Sequence, residues 1–118
     1  MNESTNKSVP TIRVADNTEN PCLLVLKQKG YELRQWFIRD ADGEYEQHFD
    51  AVKDGRKFSA ERAEEVLGLA VMWETRGEDW QTRADEPDMI DRLYPQSNTY
   101  DAKGRVVEIG DEDVGRRA

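Results

Sequence analysis

The chain has 118 residues and a formal net charge of −8, with 36% hydrophobic and 36% charged residues. Its length suits one domain with polar tails, and its acidity argues against a general binder of phosphate backbones, which needs a basic face. One cysteine, Cys22, excludes a disulfide framework and a cysteine-based zinc site, and no apolar run approaches the roughly 20 residues of a membrane span or forms a secretory signal after Met1.

Residues 1–19 are polar and rich in Asn, Ser and Thr. They carry too little apolar surface to offset their ordering entropy, so a disordered segment is expected. The plain reading is a loose terminus; the functional one is an unfolded address for export through a narrow secretion channel. Asn20-Pro21 then supplies a good N-cap followed by a good first helical residue. Leu23, Leu24 and Leu26 give a short helix an apolar stripe, Lys27 and Lys29 suit its negative end, and Gly30 ends it. Cys22, beside Leu23 and Leu24, reads as a small buried apolar residue.

Residues 31–40 and 44–53 read as two strands. Ala41-Asp42-Gly43 between them fits a three-residue hairpin loop with Gly43 left-handed. That loop sets Leu33 opposite Ala51, Gln35 opposite Phe49 and Phe37 opposite Gln47. Asp54-Gly55 signals a second, two-residue hairpin and sets Ala51 opposite Phe58. Both turns then place Leu33, Phe37, Tyr45, Phe49, Ala51 and Phe58 on one face, the expected core face.

The helix laid across that face is expected over residues 59–74. Ser59 offers an N-cap, and Glu61, Glu64 and Glu65 suit the positive end of the dipole. Ala63, Val66, Leu67 and Ala70 follow helical spacing, and residues 66–73 are apolar almost all round, so burial on more than one side is expected. Gly68 costs about 1 kcal/mol against alanine in mid-helix, which suggests close approach to the sheet. Arg76 and Gly77 make a favourable end.

Beyond it, Trp80 is expected to fold back on the domain edge. Pro87 opens a short helical turn through Met89, Ile90 and Leu93 that stops before Pro95, residues 98–109 resemble a single YD-repeat hairpin, and residues 111–118 should fray. The fold class is α+β with α-β-β-β-α order: a disordered segment over residues 1–19, a domain over 20–94, and a small hairpin with a flexible tail over 95–118. This order is the topology of double-stranded-RNA-binding domains. The second helix here opens with glutamates where such domains carry lysines, so nucleic-acid binding is discounted.

Candidate site residues lie on the opposite sheet face, where the register sets Trp36 against His48, Ile38 against Glu46 and Arg34 against Asp50. Exposed Trp36 and Ile38 would be unusual. Either residues 77–110 or a second copy covers them, or they form a partner-binding patch of Trp36, Ile38, His48, Arg34 and Asp50 with Trp36 as anchor. Arg34 and Asp50 would be a cross-strand pair. His48 is the only histidine. Glu46 and Asp50 flank it at a spacing common on polar strand faces, so catalysis is not expected, and a metal would need ligands beyond these three. No phosphate loop is present and Asp111-Glu112-Asp113 lacks calcium-loop spacing. No catalytic residue, metal or cofactor is assigned.

Residues 30–59, the Glu65-Val66-Leu67-Gly68-Leu69 block and the run from Trp73 to Trp80 resemble the HopPmaJ family of type III effectors of plant-pathogenic pseudomonads, over roughly residues 20–80. The resemblance implies delivery into a plant cell, with the polar N-terminus as secretion segment, and supplies no catalytic residues. Leu26-Lys27-Gln28-Lys29-Gly30-Tyr31-Glu32-Leu33 is also similar to the opening of HicA toxins, and the strands and helix to HicB antitoxins. The second strand reads Glu46-Gln47-His48-Phe49, without the HicA ribonuclease motif. Two expectations follow: a non-enzymatic secreted effector, monomeric, binding a protein partner and neither nucleic acid nor membrane; or a bacterial antitoxin- or immunity-like protein whose acidic surface neutralises a basic enzyme.

Overall fold

Three antiparallel strands in the order β1-β2-β3 form the sheet: β1 (Glu32–Arg39), β2 (Tyr45–Lys53) and β3 (Arg56–Ala60). The computed structural model describes residues 9–108; the expectations for residues 1–8 and for the tail after residue 108 lie outside the described residues. The chain divides into two units, residues 1–80 and 81–118.

Both turn readings hold. Leu33 stands opposite Ala51, Trp36 opposite His48, and Ala51 opposite Phe58. At the first turn Asp40 Oδ1 accepts from the backbone N–H groups of Asp42 and Glu44, each at 2.9 Å, and Gly43 takes φ +85°. At the second, Asp54 and Gly55 both have positive φ, 52° and 77°, as the tightest hairpin turn requires.

The first helix, α1 (Asp16–Gln28), starts four residues before the expected Asn20 cap. Residues 16–19 are therefore helical rather than disordered, and Pro21 lies inside. Thr18 supplies the reason: its Oγ1 accepts from the Ala15 N–H at 3.0 Å and donates to Glu64 Oε2 at 2.6 Å. Pro21 is the sixth residue of the helix and has no N–H to give to the Asn17 carbonyl, so the helix forgoes one backbone bond there. The helix ends as expected, with Gly30 at φ +96° and the Tyr31 N–H reaching the Leu26 carbonyl at 3.1 Å.

The second helix, α2 (Ala63–Arg76), starts later than expected, with Arg62 as N-cap. Ser59 does not cap it. Strand pairing runs on through Ala60 opposite Phe49, and the Ser59 hydroxyl has a charged acceptor in Asp50, at 2.6 Å. Gly77 closes the helix at φ +80°, its N–H bonded to the Trp73 carbonyl.

Ala63, Val66 and Ala70 are buried, and α2 packs against β3, β2 and α1. With Leu26, Tyr31, Phe49, Ala51 and Phe58 they form the core, and Cys22, Leu23, Leu33, Leu67 and Trp73 pack around it. Two expectations fail here. Gly68 does not approach the sheet: a Cβ at that position would meet nothing within 4 Å. It lies about 200° round the helix from Val66, and Leu69 and Val71 beside it are also exposed. Phe37 and Tyr45 share the core face by register yet are 55% and 68% exposed. Phe37 sits about 13 Å beyond Leu33 at ~3.3 Å per residue, past the part of the sheet the helices cover.

After the single 3₁₀ turn Gly77–Asp79, Trp80 ends the first unit partly exposed, its carbonyl accepting from Arg76 Nε at 2.7 Å. In the second unit, α3 (Met89–Leu93) is capped by Asp88, whose Oδ1 accepts from the Asp91 N–H at 3.1 Å. A 3₁₀ turn, Tyr94–Gln96, leads to a small hairpin of β4 (Thr99–Tyr100) and β5 (Val106–Val107). Asp101 holds its bend, accepting from the N–H groups of Lys103 and Arg105, each at 2.9 Å.

Candidate functional site

The outer face of the β1–β2 hairpin carries the predicted patch, and β-sheet alternation turns Arg34, Trp36, Ile38, Glu46, His48 and Asp50 to that side. Trp36 lies flat. Its indole stacks on the His48 imidazole with centroids 4.4 Å apart at 15°, and its Nε1 donates to Asp50 Oδ1 at 3.0 Å. Ser59 Oγ donates to the same oxygen. Asp50 is thereby buried, 7% exposed. The hydrogen bonds from Ser59 and Trp36 hold its carboxyl below the ordinary value against the opposing effect of burial. Trp36 therefore seals a polar cluster while keeping 38% of its own surface exposed.

The expected Arg34–Asp50 pair does not form. Arg34 stands opposite Asp50 in register, but its guanidinium lies 3.4 Å from Glu32 Oε2, in an exposed pair worth little. The carboxylate has found shorter, geometrically fixed donors in Ser59 and Trp36. Ile38 is 45% exposed.

Around His48 the structure assembles a group that includes a residue absent from the predicted patch. The ligand-capable atoms of Glu46, His48 and Glu61 lie within 4.8 Å of one another. His48 Nε2 is 3.6 Å from Glu46 Oε2 and is buried with no hydrogen-bond partner. A hydrogen bond with Glu46, then that carboxylate's charge, pushes the Glu61 carboxyl up from its ordinary value, while His48 pulls the other way. Glu61 comes here because β3 ends at Ala60 paired with Phe49, so the next residue emerges beside His48. Extending the Ala51–Phe58 register by three positions would have found it; placing Glu61 in the helix hid it.

Glu46 and Glu61 also line a cleft of about 310 Å³ together with Asp16, Glu19, Glu64 and Arg62. The cleft lies where α1 and α2 begin, and the carboxylates oppose the positive ends of both helix dipoles. Gln47 Nε2 donates to Glu19 Oε2 at 3.4 Å. Hydrogen bonds from Thr18 and from its own backbone N–H hold Glu64 below the usual carboxylate range.

No family model, curated protein or solved structure matches the chain.

Proposed function

We propose that residues 16–80 form a protein-interaction module whose binding element is the free end of the β1–β2 hairpin. The observation carrying this reading is the exposure of Trp36, Phe37, Ile38 and Tyr45 at 38%, 55%, 45% and 68%, on both faces of the hairpin past the helix-covered half of the sheet. Large apolar side chains grouped on a rigid element are the usual anchors of an interface. Among the described residues no strand pairs with the outer edge of β1, so its backbone can accept an added strand of a partner.

The resemblance of residues 20–80 to the HopPmaJ effectors, with the polar first residues, supports a secreted effector whose partner is a plant-cell protein. A bacterial antitoxin- or immunity-like role is the second reading, supported by the net charge of −8 and the acidic cleft. The two differ in the surface used. Affinity capture from plant and bacterial extracts separates them, with wild type, Phe37→Asp and the double substitution Asp16→Asn with Glu19→Gln in parallel. The first reading expects plant proteins recovered by wild type and lost with Phe37→Asp. The second expects a basic bacterial protein lost with the cleft variant. Equal recovery by all three chains rejects both.

A further inference from the structure

We infer that Glu46, His48 and Glu61 form a binding site for one divalent transition-metal ion of the zinc type, a site independent of the hairpin reading. Each ligand is delivered by the fold. Glu46 and His48 are two apart on β2 and so share a face, and Glu61 leaves the end of β3 beside them. Their donor atoms fall within 4.8 Å of one another. Zinc–ligand bonds of about 2.0–2.2 Å set tetrahedral donors roughly 3.4 Å apart, a closure of an ångström or so that rotation of the two exposed glutamates supplies.

Two features of the arrangement point to a cation. His48 Nε2 is sealed from solvent and makes no hydrogen bond; with the proton on Nδ1 it presents a lone pair to Glu46 and Glu61. A buried polar atom left unsatisfied costs about 1–3 kcal/mol, and a metal bond removes that cost. Two carboxylates also converge on the same point as the imidazole, their donor atoms and Nε2 within 4.8 Å of one another. Asp16, Glu19 and Glu64 in the adjoining cleft raise the local cation concentration. Trp36, stacked on the imidazole with centroids 4.4 Å apart, restricts the ring plane.

The donor set chooses the ion. Magnesium and calcium take oxygen ligands, whereas an imidazole with two carboxylates suits zinc and its first-row neighbours. Three protein ligands leave a fourth position for water or a partner's side chain.

Titration of the tag-free 118-residue chain with zinc chloride by isothermal calorimetry tests the site. The expected result is one saturable ion per chain, at least tenfold weaker binding in both Glu61→Gln and His48→Gln, and unchanged binding in the control Glu44→Gln. Zinc should also raise the unfolding temperature of wild type but not of Glu61→Gln, which keeps the answer available if His48→Gln folds poorly. Absence of saturable binding, or binding equally strong in Glu61→Gln, overturns the proposal. Displacement of zinc by a tenfold excess of magnesium overturns the assignment to a zinc-type ion.

Discussion

Tyr31 Oη donates to Glu74 Oε2 at 2.7 Å, tying the residue just before β1 to the last turns of α2. Lys29 Nζ takes the other oxygen of Glu74, also at 2.7 Å. Burial, then the bond to Glu74, pushes the Tyr31 phenol up to about 12 from 10.0. The bonds from Lys29 and Tyr31 hold Glu74 below 4.5. The signs follow from proton linkage. A depressed carboxyl stabilises the fold above its unfolded value, and that stability is lost as pH falls through 4.5 and below. A raised phenol stabilises the fold fully below pH 10.0, and this is lost as pH climbs to about 12. Urea unfolding against pH checks both. Tyr31→Phe should flatten the alkaline decline, and Glu74→Gln should flatten the acid one.

Gly68→Ala should stabilise the protein by up to about 1 kcal/mol, the propensity difference in a helix interior. The site is exposed and a Cβ there meets no atom within 4 Å, so nothing opposes the gain. Gly55→Ala should do the reverse. Its surroundings are equally open, but φ is +77°, and a left-handed alanine costs about 1–2 kcal/mol. Denaturant midpoints of the two variants measure both. A destabilised Gly68→Ala would mean that the outer face of α2 is covered in solution.

The turns were legible because their chemistry is local. Asp40 with Gly43, and Asp54 with Gly55, dictate two bends within a few residues, and the bends dictate every cross-strand partner. What depends on distant residues was not legible. Ser59 looks like a helix cap until a buried Asp50 competes for its hydroxyl. Ala15 looks like coil until Thr18 reaches back to its N–H. Phe37 and Tyr45 obey the core pattern, but alternation says which face a side chain takes and not how far a helix extends over that face. The same blindness hid Glu61, whose partners on β2 are set by where β3 stops.

Asp50 should be the costliest polar residue to remove. Its Oδ1 accepts from both Trp36 Nε1 and Ser59 Oγ, and hydrogen bonds to a charged group contribute about 1.5–3 kcal/mol. Ser59→Ala should cost an amount in that range. Asp50→Ala should cost more, since it removes the acceptor of both bonds. The double variant should cost less than the sum of the two, because once the carboxylate is gone the hydroxyl has no acceptor to lose. Additive costs would mean that the two groups are not bonded in solution.

The phase of α1 gives the sharpest test of the first unit. Leu26 is fully buried, whereas Leu24, two residues earlier on the same helix, is 54% exposed. The two leucines lie about 200° apart around the helix, so one meets α2 and the sheet while the other faces outward. Leu26→Ala should cost about 2–5 kcal/mol, the transfer and cavity terms of a closed site. That is a large share of the roughly 5–15 kcal/mol of a whole domain, and partial unfolding at 37 °C is expected. Leu24→Ala should stay within about 0.5 kcal/mol. Thr18→Ala should cost about 1 kcal/mol, because it removes the bond to Ala15 at the helix start. If α1 began at Asn20, Thr18→Ala would be silent, so chemical denaturation of these three variants fixes both the start of the helix and the face it buries.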